Sequence, residues 1–573
     1  MQKFLIAAVM FLLMNPAMSE TRPRTIALKI LHTSDVHSHA FDALPRINAY
    51  VDSVRAKNPG HVVFTDGGDV LQGHPSAYYY NFVDTQSPHL IAAAMNRMHY
   101  DVGAIGNHDI ETGRAVFDRW ISQCNFPVLG ANVIDETTGR PHLCPYTIIE
   151  RDGVRIAFLG LITPAIPHWV PKQLWAGLHF DDMIASARKW VNEIQRVEEP
   201  DLIVGLFHSG INEDQGIITQ TYVENSVRLV AKQVPGFDFI LYGHDHQRHI
   251  ERVINDLGDS VLCIGPSSTG ACLCEVDVQL SFDSRGCVTD KHFDARLVDI
   301  STMPELDTTA LESWFPEERA AVESYMDEPV GVFDETLSER EAFFGPSAFI
   351  DIIHDLQLQL SAGAQISFAA PLSFDSVIER GLAHVRDMFA LYRYENLLYT
   401  MRMTGSEIRR HLEMSYDLWC NTMQGPDDNL LLLDTDSNIQ RRHGLKNLPF
   451  NFDSAAGICY DVDVSKPNGQ KVQIISMEDG SPFCEDSTYL VAVNSYRGNG
   501  GGELLTQGAG IPFEELPSRI VASTDFDLRY HLIQLIRDAG HVKPNHRNNW
   551  RFVPVAWAEK AIPRDRNQLF GEE

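Results

Sequence analysis

Five short polar runs in this chain carry the side chains that ligate transition metals. They are Asp35-Val36-His37, Gly67-Gly68-Asp69, Gly106-Asn107-His108-Asp109, His208-Ser209-Gly210 and Gly243-His244-Asp245-His246. Imidazoles, carboxylates and one neutral amide suit borderline divalent ions (Zn²⁺, Mn²⁺ or the Fe/Co class) better than Ca²⁺ or Mg²⁺. Any one run alone is explained by a turn or a surface histidine. Together, each following an apolar stretch, they describe two ions side by side. One ion takes Asp35, His37, Asp69 and His246; the other takes Asp69, Asn107, His208 and His244, with Asp69 shared. Two such ions activate a bridging hydroxide and clamp the attacking and leaving oxygens of an in-line displacement. Their charge outweighs the two carboxylates and the hydroxide, which leaves a positive centre suited to a phosphate. No serine or cysteine nucleophile is then required. His108 follows a ligand and is assigned to the phosphoryl group or leaving oxygen, stabilising charge or donating a proton. Glu111, three residues on, reads equally as the partner that orients His108 or as a first-turn helix acid favoured by the dipole.

For these runs to meet, they must lie at the carboxyl ends of strands, where open α/β sheets gather their ligands. The apolar stretches 25–31, 61–65, 102–105, 202–207 and 238–241 are the strand candidates. Helical spacing over 88–99, 114–123 and 182–197 alternates with them, which favours a layered α/β domain. Residues 260–264 and 271–280 read as a strand pair and suggest a second, more antiparallel sheet. No GxxxxGK[S/T] loop and no strand-linked GxGxxG occurs, so these two nucleotide-binding fingerprints are absent.

A chain of 573 residues exceeds one core. Residues 1–19 read as a signal peptide, with Lys3, an apolar run over 4–14 and the small-x-small Ala17-Met18-Ser19, so export to a periplasm or cell envelope is expected. A metal-bearing domain over 20–300, a linker helix over 301–329 and a second domain over 330–573 follow. The second domain should contain helices at 346–361 and 406–416 and strands at 397–403, 458–464, 472–477 and 489–494. Its glycine-dense run 498–502 permits close backbone approach. No other apolar run nears the ~20 residues that span a bilayer, so no stable membrane insertion is expected. The excess of 77 acidic over 47 basic residues, a net charge of −30, opposes polymeric nucleic acid as a partner. A small anion remains compatible, because bound cations reverse the local field. The nine cysteines show no spacing that forces a disulfide, although export permits one. Cys272 and Cys274, two apart, should share one strand face.

The motifs resemble those of metallophosphoesterases of the 5′-nucleotidase and 2′,3′-cyclic-nucleotide 2′-phosphodiesterase/3′-nucleotidase type. That resemblance implies an α/β chain: a calcineurin-like αββα sandwich followed by an α+β substrate domain. It carries the metal roles onto Asp35, His37, Asp69, Asn107, His208 and His244. The last ligand of the first ion is often Gln in the 5′-nucleotidases, and here is His246. The partner of the catalytic histidine is often Asp, and here is Glu111. In 5′-nucleotidases a glycine-rich segment ending in Ile-Arg supplies arginines. The matching run 367–372 has none, which resembles the cyclic-nucleotide branch, as do Tyr394-Glu395-Asn396, Leu412-Glu413-Met414-Ser415, Asn451-Phe452-Asp453 and Asn494-Ser495-Tyr496-Arg497. In that branch two aromatic rings sandwich the base. The matching positions are Phe450 (or Phe452) and Tyr496, with Asn451 and Asp453 beside them; the competing reading makes these rings core. The resemblance thus implies an exported, metal-dependent hydrolase of nucleotide phosphoesters whose two domains swing relative to each other. A 5′-nucleotidase is the alternative, and a non-catalytic ligand-binding surface protein the remote one.

Overall fold

In the computed structural model, which describes residues 23–38, 43–303, 313–434 and 443–571, all five apolar stretches form strands. The expected signal peptide, 1–19, lies outside the described residues. Arg24–Thr33, Val62–Asp66 and Val102–Ala104 run parallel in one six-stranded sheet. Leu202–His208 and Phe239–Gly243 run parallel in a second six-stranded sheet.

The two sheets pack face to face. Ile30, Val63 and Ala104 from the first share one core with Val204, Leu206 and Leu241 from the second. Their sequence neighbours Leu31 and Phe64 point the other way, into a core with the helices Ala43–Lys57, Leu90–Arg97 and Arg114–Gln123. Ile203 and Ile240 likewise meet Met183–Val197 and Val227–Gln233 on the outside of the second sheet. Strands covered on both faces must be apolar at every position, which is why these stretches show little alternation. The result is an αββα sandwich. Asp182 starts one outer helix by accepting from the Ala185 N–H, which satisfies an otherwise free donor.

One expected pairing is corrected. Ser260–Pro266 lies parallel to Phe239–Gly243 in the second sheet, whereas Cys272–Phe282 lies antiparallel to Arg24–Thr33 in the first. Between them Ser267, Thr269 and Gly270 adopt left-handed backbone that swings the chain across the sandwich instead of closing a hairpin. Cys272 and Cys274 are both buried, and all nine cysteines are free thiols.

A helix over Pro316–Met326 lies within the stretch expected to link the halves. Its Tyr325 ring is 5.5 Å from Tyr79, and the residue after the helix, Asp327, pairs with Arg386. Beyond it, a five-stranded sheet has Thr488–Asn494 at its centre, flanked by Ile366–Ala369 and Leu398–Thr404. Helix Ala348–Leu360 shares a core with Ala369, Leu398 and Ala492; helix Gly405–Trp419 covers the opposite face through Phe368, Met401 and Val491. Thr404 and Glu407 form a capping box at the start of the second helix. Among the described residues no helix is long and apolar enough to cross a membrane.

The inter-sheet core makes a direct prediction. Leu241→Ala, at a position with no exposure, should cost ~2–5 kcal/mol and lower the urea midpoint. Ile250→Ala, on an outer strand and 40% exposed, should stay within ~0.5 kcal/mol. Equal shifts would mean that the two sheets do not share this core.

Candidate metal centre

Asp35 and His37 follow the first strand, Asp69 the second and Asn107 the third, all in one sheet; His208 ends a strand of the other sheet, and His244 and His246 follow its neighbour. Such a cluster needs sharp turns at strand ends, and the backbone shows them. Asp35, His37, Asp69, His244 and His246 all have positive φ, between 50° and 88°. Residues other than glycine rarely adopt this conformation, at ~1–3 kcal/mol each, and such strain gathers at functional sites. Main-chain bonds hold it in place: Asp35 N–H donates to Gly68 O at 2.9 Å, and His37 N–H to Asp69 O at 3.0 Å. Gly68 cannot carry a side chain, because a Cβ there would lie 2.6 Å from the Gly106 nitrogen. Nor can Gly243, where a Cβ would collide with Ser34 Oγ and the Asp35 carboxylate.

The side chains then turn acceptors toward one another. His208 Nδ1 donates to Gly67 O at 2.8 Å, which leaves Nε2 facing Asn107 Oδ1 at 3.0 Å and Asp69 Oδ2 at 3.1 Å. His244 Nε2 donates to Glu224 at 2.9 Å, so its Nδ1 faces the same Asn107 oxygen at 2.8 Å. His37 Nδ1 donates to Gln72 O at 3.2 Å, and its Nε2 faces His246 Nε2 at 3.1 Å, itself 3.1 Å from Asp35 Oδ1. Donor atoms of Asp35, His37, Asp69 and His246 all lie within 4.8 Å of one another. Imidazole nitrogens and carboxylate or amide oxygens this close repel unless a proton or a cation sits between them. Atoms bound to one divalent ion at ~2.0–2.2 Å are themselves about 3 Å apart, so this donor set fits metal ions.

The titration behaviour expresses the same demand for positive charge. Burial alone would raise both carboxyls, yet His246 beside Asp35 and His208 beside Asp69 outweigh it and hold both below their ordinary range. Burial opposes a charge on His208, but Asp69 prevails and lifts it to about 10. His37 is pushed down to about 3 by burial and by the neighbouring His246.

His108 stands at the edge of this cluster, its ring 5.5 Å from His37 and its main-chain N–H donating to Asp69 Oδ1 at 2.8 Å. Its Nδ1 donates to Glu111 Oε2 at 2.6 Å. Glu111 is the last residue of the short helix Asn107–Glu111, so the first-turn reading fails and the partner reading remains. Asp109, in the same motif, had no role assigned from sequence. Its carboxylate accepts from the N–H groups of Gly106, Asp69, Val70 and Leu71 and ties two site loops together.

The C-terminal aromatics divide. Phe450 and Tyr496 are half-buried and meet edge to face, with centroids 6.0 Å apart at 89°, not as parallel plates. Phe452 is corrected to a core residue: it is 1% exposed and stacks on Trp419 at 5.4 Å, so that face is already occupied. Asp453 is also corrected, because it is buried and committed to Arg497 and His411. Burial would raise its pKa, but Arg497 and His411 bring it to about 2. Arg497 was not singled out from sequence, yet it organises this region. Its five N–H donors reach both Asp453 oxygens, Asn451 Oδ1, Phe450 O and Gly501 O at 2.6–3.1 Å. Asn451 is thereby a fixed support. The loop beside Tyr496 reaches the metal side, where Asn499 Nδ2 donates to Trp169 O at 3.2 Å and the Trp169 ring is 5.6 Å from His244.

Comparisons with known proteins agree with this architecture. A family model described as calcineurin-like phosphoesterase matches residues 28–248, and one described as 5′-nucleotidase, C-terminal domain, matches residues 329–507. Over 94% of its length the chain is 26% identical to the 2′,3′-cyclic-nucleotide 2′-phosphodiesterase/3′-nucleotidase of Yersinia enterocolitica, of which it covers 90%. It is equally similar, 26% over 94% of its length, to the trifunctional nucleotide phosphoesterase protein YfkN of Bacillus subtilis, but spans only 40% of that protein. A candidate 5′-nucleotidase of Staphylococcus aureus, solved with alpha-ketoglutarate, superposes with a TM-score of 0.72 at 20% identity, covering 92% of this chain and all of that one, and so shares the fold. The chain belongs to the metallophosphoesterases in which a calcineurin-like phosphoesterase domain precedes a 5′-nucleotidase C-terminal domain.

Proposed function

We propose that this chain is an exported, metal-dependent hydrolase of nucleotide phosphoesters, acting on 2′,3′-cyclic nucleotides and 3′-nucleotides. The observation that carries the reading is the pair of converging acceptor clusters that share Asp69, with His108 beside them. Asp35, His37, Asp69 and His246 would hold one divalent ion of the Zn, Mn or Fe/Co class; Asp69, Asn107, His208 and His244 would hold the other. Bound there, such ions lower the pKa of coordinated water and neutralise charge on the phosphoryl oxygens.

The chain's own groups do the rest. Burial disfavours a proton on His108, but Asp69 and the bond to Glu111 outweigh it and lift its pKa to about 9. In its protonated form His108 can donate to a phosphoryl or leaving oxygen, while Glu111 holds its ring in place. We assign nucleotide binding to 330–573 and the chemistry to 20–300, with Tyr496 and Phe450 as the base platform once their edge-to-face pair opens. The 5′-nucleotidase reading draws on the C-terminal family match. It is disfavoured by the absence of arginine from 367–372 and by Arg497, whose five donors are already occupied. Lys3 and the apolar run after it support export.

Phosphate release from 2′,3′-cyclic AMP, 3′-AMP and 5′-AMP tests this reading. Chelation should abolish turnover of the first two, and Mn²⁺, Zn²⁺ or Co²⁺ should restore it. Turnover indifferent to chelation would end the metal reading, and a preference for 5′-AMP would select the alternative. His108→Ala should lower kcat by ~10²–10⁴-fold with metal content unchanged. Glu111→Gln should cost less, and should add nothing when His108 is already Ala; additive losses would separate the two residues. Tyr496→Ala should raise KM for nucleotides by ~5–150-fold, the equivalent of one lost base stack, and spare a small aryl phosphate. An equal rise for both substrates would remove Tyr496 from the base site.

A further inference from the structure

Glu224 belongs to none of the metal-binding motifs, yet its carboxylate rests against a ligand candidate. Oε1 accepts from His244 Nε2 at 2.9 Å, while His244 Nδ1 lies 2.8 Å from Asn107 Oδ1 inside the acceptor cluster. Both side chains are only 12% exposed. Oε2 accepts from Ile217 N–H at 2.6 Å, and the Glu224 carbonyl accepts from Ser209 Oγ at 2.6 Å, beside His208. Oε2 helps to close the loop of Glu224, but the main chain closes it as well. Its main-chain bonds run from Glu224 N–H to Ile217 O at 2.8 Å and from Thr219 N–H to Tyr222 O at 2.9 Å, which leaves Oε1 free to serve His244.

The loop is also pinned from outside. Tyr222 OH lies 2.7 Å from His168 Nε2, and the His168 ring stacks on Phe513 of the C-terminal half at 3.6 Å. Glu224 is thus a charged acceptor on a fixed support, aimed at the far nitrogen of an imidazole whose near nitrogen faces the site. A carboxylate so placed fixes the ring's tautomer and orientation and raises the basicity of the opposite nitrogen. We propose that Glu224 is a positioning residue that sets the affinity of the ion shared by Asp69, Asn107, His208 and His244, an inference that rests on the two-metal reading above.

Mn²⁺ titrated into the chelator-treated full chain, with free ion followed by electron paramagnetic resonance, tests it. The unaltered chain should bind two ions. Glu224→Ala should keep one at its original affinity and weaken the other by ~10–100-fold. Glu224→Gln, which keeps an acceptor for His244 but loses the charge, should fall between. Thr219→Ala loosens the same hairpin away from the carboxylate and should bind both ions as the unaltered chain does. Unchanged binding in Glu224→Ala overturns the proposal. So does an equal weakening of both ions, or a Thr219→Ala loss as large as that of Glu224→Ala, since either would make the role merely structural. An unaltered chain that binds no Mn²⁺ overturns the metal centre itself, an outcome distinct from those three.

Discussion

Two carboxylates buried side by side set the terms for this molecule. Asp35 and Asp69 have 0% and 1% exposure and sit among four imidazoles and an amide oxygen whose free lone pairs face inward. Buried negative charge is costly unless positive charge accompanies it. The imidazoles can meet that need by protonation, as the raised His208 shows, or by yielding their nitrogens to metal ions. The chemistry proposed here follows from the second option, and the surrounding structure keeps it open.

The fold keeps it open by bringing two sheets to one rim. Neither sheet could build the cluster alone, because Asp35, Asp69 and Asn107 arise from one and His208, His244 and His246 from the other. The inter-sheet core that holds the strands together therefore also sets the spacing between the two groups of donors. At the rim, left-handed turns aim the side chains and main-chain bonds restrain them. Asp109 ties two of the site loops through four N–H groups. Strain at the turns is tolerable because packing below them is dense and apolar.

The C-terminal half works by a similar logic with different chemistry. Arg497 is buried with every donor engaged, and so fixes Phe450, Asn451 and the glycine-dense loop next to Tyr496. Small residues are needed there, since a side chain at Gly502 would collide with Asn451 and Arg497. Through Asn499 and Phe513 this region touches Trp169 and His168, the neighbours of His244 and of the Glu224 loop. The loop beside Tyr496 therefore packs directly against residues that adjoin the acceptor cluster.

Residue type and local spacing were enough to mark the polar runs that cluster, the strands before them and the layered α/β class, because ligand chemistry and hydrophobic burial are written locally. Helices such as Arg114–Gln123 were legible for the same reason. Where 260–266 and 272–282 pair was not legible, since an apolar strand covered on both faces does not announce its partner. Phe450 and Phe452 stand two apart with the same ring, and only packing against Trp419 sends one into the core. Glu224, Asp109 and Arg497 are ordinary polar residues in sequence. Their importance lies in which acceptors and donors reach them across the fold, a property of three-dimensional contact that no single stretch of chain contains.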